Sequence, residues 1–333
     1  EKAASRRASV AASSQPHAAP ARPQAGAKWT PSTGEPPAPA PAANVDLLSM
    51  YDDAADSSFA VSSASSALSA DEQVQVIKLF HRAGVAGNVK TPLYENANIT
   101  VNCQADYRGA QGRIAVTLYN KGDADVTDIA FEVQSVYESE YIAVKTQPPA
   151  GNRISSMDEV KVQVAIACRR PFCDMTSAPT CTVRYKCMGS QRILELRLPV
   201  TAMSFCEPLR FGKEDFMGRW KALDGGAGVQ MQETHPIGAA LGMISDDLIT
   251  KLRTNLMPKL KVGHVDGIDG PNSITGSTIF RTTTPGPDGQ PLCIDCFLRL
   301  EADRASNRVR FTVRSKNQKI VSAMMQVLKG QLC

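Results

Sequence analysis

The chain has 333 residues, with 37 Lys and Arg against 33 Asp and Glu, for a formal charge of +4. That length suggests about two domains, and the near balance argues against a dedicated nucleic-acid binder, which concentrates a basic excess. No apolar run reaches the roughly 18 residues that span a bilayer, and no apolar stretch follows Arg6 and Arg7, so neither membrane insertion nor a secretory signal is legible.

The bulk figures conceal two polymers. Residues 1–44 hold 14 Ala and 8 Pro, and Ser57–Ser69 is almost purely Ser and Ala. Such sequence cannot bury enough apolar surface to offset a backbone-ordering cost of about 1–2 kcal/mol per residue. Residues 1–75 are therefore expected to be a disordered tether, stiffened in its first half by proline. It holds one patterned island, Val45-Asp-Leu-Leu-Ser-Met-Tyr-Asp-Asp53. The chain opens at Glu1 rather than Met, and is expected to be a piece of a longer protein.

From Val76 the character changes. Ile99, Val101, Cys103, Ala105 and Tyr107 alternate with mostly polar residues, the period of a half-buried strand. Similar runs follow at Arg113–Tyr119, Thr127–Val136, Tyr141–Lys145, Val160–Cys168, Cys181–Cys187 and Arg192–Val200. Short strands broken by turns, with no helix between them, predict an antiparallel β-sandwich over residues 76–203. After Pro199 the period switches. A helix is expected over Lys213–Leu223, with Phe216, Trp220 and Leu223 on one stripe, and another from a Ser245 cap to about Leu256. Strands at Ser277–Thr283, Leu292–Glu301 and Arg308–Arg314 and a last helix over Gln318–Leu328 complete an α+β domain, residues 204–333.

Catalytic and metal motifs are sparse. Asp123-Ala-Asp125-Val-Thr127-Asp128 begins like a calcium loop but lacks the sixth-position Gly and the closing Glu, and reads as a solvated turn. Cys293-Ile-Asp-Cys296 lies in a strand, where positions three apart face opposite sides and cannot share one ion. The four His sit beside no recognisable nucleophile. No metal or cofactor is expected. An enzyme using a cysteine nucleophile is the weaker alternative. Nine cysteines, an odd number, mostly within apolar runs, indicate a reducing, cytoplasmic setting; the Asn98-Ile99-Thr100 sequon is then an accident of composition.

Binding chemistry is better represented. The Phe216–Trp220–Leu223 stripe reads by periodicity as a core helix, although Trp is also a favoured interface anchor. Strand alternation puts Phe297, Arg299 and Glu301 on one face, and Arg310, Thr312 and Arg314 on one face of the next strand. If the two pair, Arg299, Glu301 and Arg310 form a patch that reads carboxylates, or an ordinary solvated face. The basic run Lys251, Arg253, Lys259 and Lys261 reads as the polar side of a helix and its exit.

Lys213-Glu-Asp-Phe-Met-Gly-Arg-Trp-Lys-Ala-Leu223, Cys296-Phe-Leu-Arg-Leu-Glu301 and Arg310-Phe-Thr-Val-Arg314 resemble the appendage of alpha-adaptin, the large subunit of the plasma-membrane clathrin adaptor complex. Leu93-Tyr-Glu-Asn, Gln104–Tyr107, Gly112-Arg113 and Leu196-Arg-Leu-Pro-Val200 are similar to its sandwich strands, in matching order from about Leu79 to Cys333. Beta-adaptin and coatomer gamma appendages share the bilobed build and are the alternatives. The resemblance implies a hinge, an immunoglobulin-like sandwich and a platform with no catalysis, peripheral at coated pits. It further implies a platform pocket at Phe216, Trp220, Arg299, Glu301 and Arg310 that captures Asp-Pro-Phe/Trp and Phe-x-Asp-x-Phe motifs of endocytic accessory proteins. The family's second peptide site, on the sandwich, uses a Phe and a Gln; Thr117 and Glu159 stand there, which departs from the pattern. In the tether, Leu47, Leu48, Met50 and Asp52 resemble a degenerate clathrin box, its acid displaced one place by Tyr51. Contacts with other adaptor subunits would belong to a trunk outside this chain.

Overall fold

The structure, a computed structural model, describes residues 68–135, 140–173, 178–224, 226, 228–286 and 289–333. Most of the expected tether, including Leu47, Leu48, Met50 and Asp52, lies outside the described residues. The first element is helix α1 (Ala70–Gly84), so residues 70–75, expected in the tether, are helical. The reason is local. The Ser69 hydroxyl accepts from the Glu72 N–H, and the Glu72 carboxylate accepts from the Ser69 N–H, closing a capping box. Tyr94 Oη donates to Glu72 at 2.9 Å. Within α1 only Phe80 and Ala83 are fully buried, so the helix lies on the body by one edge.

The expected sandwich is present. Strands β1 (Thr91–Glu95), β2 (Ile99–Arg108), β3 (Gln111–Asn120), β5 (Ile142–Gln147) and β6 (Glu159–Cys168) form an antiparallel sheet in the order β1-β2-β3-β6-β5. Strands β4 (Val126–Gln134), β7 (Thr180–Cys187) and β8 (Ser190–Arg197) form the second sheet. Their alternation buries Ile114, Val116 and Leu118 of β3 and Val162, Val164 and Ile166 of β6, together with Cys181, Val183, Leu194 and Leu196 of the second sheet. All seven runs with strand periodicity contain a strand. The alternation does not show β1, because Pro92 and a register shift between Pro92 and Tyr94 break its period.

A 3-10 turn, Ala202–Phe205, leads into the platform. There β9 (Cys206–Leu209) and helix α2 (Lys213–Ala222) precede β10 (Val229–Pro236). Helix α3 (Asp246–Lys251), capped by the Ser245 hydroxyl, continues through a π-helical turn, Leu252–Leu256, into α4 (Met257–Lys259). Strands β11 (Gly263–His264), β12 (Ser273–Pro285), β13 (Pro291–Asp303) and β14 (Arg308–Ser315) and helix α5 (Gln318–Leu332) follow. The sheet order is β10-β14-β13-β12-β11, with β9 also paired to β12. Gly263 is obligatory at this crowded edge, where a Cβ would stand 1.8 Å from the Leu209 carbonyl oxygen. Strand β10 escapes sequence reading because its inward positions, Val229, Met231, Glu233 and His235, are only half apolar.

One face of the platform sheet packs on α5 through Ile320, Val321, Met324 and Leu328, and its core is continuous with that of the sandwich. Phe205 sits at the junction, 5.5 Å from Tyr107 and 6.1 Å from Phe172, both edge-on. Lys261, expected on a solvated helix exit, instead donates to the Ser204 carbonyl at 2.5 Å and lies over the Tyr107 ring. Thr283 Oγ1 donates to the Cys168 carbonyl at 3.0 Å, and Lys319 Nζ donates to Tyr141 Oη at 2.9 Å. At the outer seam, Gln331 Nε2 donates to the His81 carbonyl at 2.8 Å, joining α5 to α1.

Candidate functional site: the outer face of the platform sheet

The other face of the platform sheet carries the charged residues. Cross-strand register aligns Phe297 with Arg314 and Gln230, Arg299 with Thr312 and Gln232, and Glu301 with Arg310 and Thr234. The three rows span four residues of strand, about 13 Å at roughly 3.3 Å per residue. Helix α2 crosses the first row. Glu214 and Asp215 in its first turn and Arg219 and Lys221 in its last complement the helix dipole.

Phe216 anchors the helix. It is 2% exposed and forms a small separate core with Leu223, Val265 and Phe297, against which Phe211, Trp220 and Ile268 also pack. Its ring meets Phe297 edge-on at 5.5 Å and stacks with Trp220 at 5.7 Å. Phe216, expected to line a peptide pocket, is thus buried under the helix. Its side chain is consumed in holding α2 to the sheet, and its part at this face is to position Trp220. The exposed apolar side chain next to Trp220 on the helix is Met217, three residues before it.

Trp220 is partly exposed. The Arg314 guanidinium lies 4.5 Å from its ring centroid, donates through Nη1 to the Trp220 carbonyl at 2.8 Å and through Nε to Gln230 Oε1 at 2.6 Å, and pairs with Asp224 at 3.5 Å. Arg314 is 9% exposed, so this cation is fixed under the indole. Sequence reasoning put Arg314 on the correct face but did not assign it to Trp220, since the two are 94 residues apart. The signal available was its two-residue alternation with Arg310.

The expected patch of Arg299, Glu301 and Arg310 is assembled by the β13–β14 pairing. Arg310 donates through Nε and Nη2 to one Glu301 oxygen at 2.9 and 2.6 Å, while Arg299 Nη2 reaches the other at 3.0 Å. Both arginines remain about half exposed, 49% and 47%, so each keeps donors turned to solvent. Among the described residues, no group of three or more His, Cys, Asp or Glu could hold a metal ion. Strand alternation leaves Cys293 exposed and Cys296 buried, separating the C-x-x-C thiols as expected. Burial pushes the thiols of Cys103, Cys181 and Cys206 up to about 12 and those of Cys168 and Cys296 higher still, the wrong direction for a nucleophile.

Two family models match in sequence order. One, described as "Adaptin C-terminal domain", matches residues 90–198, and the other, "Alpha adaptin AP2, C-terminal domain", matches residues 204–332. The chain belongs to the alpha-adaptin family. The AP-2 complex subunit alpha-2 of Dictyostelium discoideum is 25% identical over 244 residues, 72% of this chain and 22% of the relative. The subunit alpha-2 of Arabidopsis thaliana is 25% identical over 72% of this chain and 22% of that protein, and the alpha subunit of Schizosaccharomyces pombe 22% over 71% and 25%. The chain thus spans about a fifth of the length of the curated relatives it matches. The match to an alpha-adaptin model over the whole platform selects alpha-adaptin from the bilobed appendages considered. Of the sandwich positions in question, Thr117 is 3% exposed, and Glu159 is held by Lys90 at 2.7 Å.

Proposed function

We propose that the outer face of the platform captures short peptide motifs of the Asp-Pro-Phe/Trp and Phe-x-Asp-x-Phe kind in disordered segments of endocytic accessory proteins. The observation that carries this reading is Trp220, partly exposed and backed by Arg314, at the head of a face lined by Arg299 and Arg310. An indole offers large, rigid apolar area to an aromatic side chain, and guanidinium forks suit the carboxylate beside it. The work is recruitment rather than catalysis. Single contacts of this size are about micromolar, and several motifs on one partner multiply them through effective concentration.

On this reading the chain acts in clathrin-mediated endocytosis, peripheral at plasma-membrane coated pits. Its division is hinge, sandwich and platform, with the second boundary at the Ala202–Phe205 turn. Residues 47–52 would offer clathrin an extended segment, and other adaptor subunits would be met through a trunk. The test is a titration of a labelled Asp-Pro-Trp peptide against the wild type and Trp220→Ala. A loss of tenfold or more is expected in a variant with unchanged circular dichroism. Unchanged affinity would remove the platform site.

A further inference from the structure

A second recess lies on the outer face of the five-stranded sheet. It has a volume of about 590 Å³ and crosses four strands, β2, β3, β6 and β5. Its floor is Ala143, Ala165 and Ala167. Alanine is depleted in strands because it covers little of the pleated surface. Three of them together leave the backbone nearly bare, so another chain can approach closely. The walls are basic. Register places Asp106, Arg113, Ala165 and Lys145 in one row across the sheet, and Arg108, Gln111, Ala167 and Ala143 in the next.

Three cations thus face one carboxylate, Asp106, which lies 3.8 Å from Arg108. The side chains of Arg113 and Lys145 make no ion pair or hydrogen bond with any other described residue. Elsewhere on the sandwich Lys90 is held by Glu159 at 2.7 Å and Lys121 by Glu95 at 2.8 Å. Arg113 and Lys145 flank Ala165 across two strand spacings, about 10 Å. That separation matches carboxylates three residues apart on a polyproline-II-like extended chain, whose three-residue turn brings i and i+3 to one face about 9 Å apart. A lone phosphate would engage only one wall.

We propose that this trough docks an extended acidic segment of a partner protein, its backbone lying over the alanine floor and two of its carboxylates, spaced i and i+3, meeting Arg113 and Lys145. No aromatic residue lines the recess, so the ligand needs none, which separates this site from the platform.

The probe is a fluorescein-labelled Ser-Asp-Ser-Ala-Asp-Ser-Ala-Asp peptide, titrated by anisotropy into the full 333-residue chain at low and physiological salt. Saturable, salt-sensitive binding is expected, weakened at least tenfold by Arg113→Glu with Lys145→Glu. Ala165→Phe, which fills the floor without altering charge, should have the same effect, and Trp220→Ala none. All three substituted sandwich positions are exposed, so these variants should keep the wild-type circular dichroism. Binding that survives either sandwich change, or that inorganic phosphate displaces as well as unlabelled peptide does, would overturn the proposal. Failure of this binding with the Asp-Pro-Trp titration intact would leave the platform reading standing, and the reverse result would leave this one.

Discussion

Glu301 is the residue on which the charge of the platform face turns. Its carboxylate accepts twice from Arg310 and pairs with Arg299, so an incoming carboxylate competes with one already in place. Exposed pairs of this kind contribute about 0–1 kcal/mol each, too little to exclude a ligand and enough to weaken it. In Glu301→Gln an amide oxygen still accepts from the guanidinium groups while the negative charge is gone. The same Asp-Pro-Trp titration should then give an affinity about two- to fivefold tighter, and a weaker one would show that the charge itself organises the site. At this scale the sequence was informative wherever alternation governs. Phe297, Arg299 and Glu301 fall on one face because a strand has period two, and Arg310, Thr312 and Arg314 follow for the same reason. Alternation cannot tell which face a helix will cross. Periodicity places Phe216, four residues before Trp220, in a core stripe, and it is buried; the pocket role comes from the resemblance alone.

Among the elements, α1 was not read from the sequence. Its legible signs were Val76, Phe80 and Ala83 at i, i+4 and i+7 and the Ser69–Glu72 capping box. Strand β10 was missed because Glu233 and His235 interrupt its inward positions, where they bond each other at 2.7 Å. The seam of α1 with α5 is narrow: a Cβ on Gly330 would stand 2.3 Å from the His81 ring. Burial there holds the His81 imidazole below its ordinary pKa. The unfolded residue titrates near 6.5, so above that pH the group is neutral in both states and the docking energy is complete. As pH falls through about 6.5, the unfolded helix binds a proton that the docked one disfavours, and stability declines. Glu72 does not confuse the signal. Its hydrogen bonds, first from the Ser69 N–H and then from Tyr94, hold its carboxyl below the ordinary range, so its contribution is lost only in stronger acid. Hydrogen-exchange protection of residues 70–84 should therefore fall as pH drops below about 6.5, and His81→Gln should flatten that fall. A wild-type profile that stays flat below that pH would refute the assignment.

Across the whole molecule, the sequence showed two halves with different periods, and the structure joins them through one apolar core. That continuity depends on contacts between residues far apart in sequence, such as Tyr107 with Phe205 and Lys261 with Ser204, which composition cannot display. Phe205 is fully buried where the two halves meet. Phe205→Ala should cost about 3–5 kcal/mol, the range for deleting a core aromatic, and the loss should be felt by both halves. In a Trp29→Phe background, denaturation followed by Trp220 fluorescence and by far-ultraviolet circular dichroism should give one shared midpoint, displaced equally by the substitution. Separate midpoints would mean that the two halves unfold independently. The family was legible because its motifs sit on the helix and strands that build the platform face, whereas the sandwich trough left no motif, since it consists of small residues and the spacing between two cations.

Helix α1 has a mechanical consequence. Every tension carried by the chain before residue 68 reaches the sheets through a helix docked by two buried side chains and a few hydrogen bonds. A load along that path peels hydrogen-bonded turns one at a time, whereas shearing a sheet breaks a whole ladder at once. Unwinding takes each residue from a rise of about 1.5 Å to about 3.4 Å, so 15 residues release roughly 30 Å of slack. The helix is therefore the element that lengthens first under pull, before either sheet is loaded.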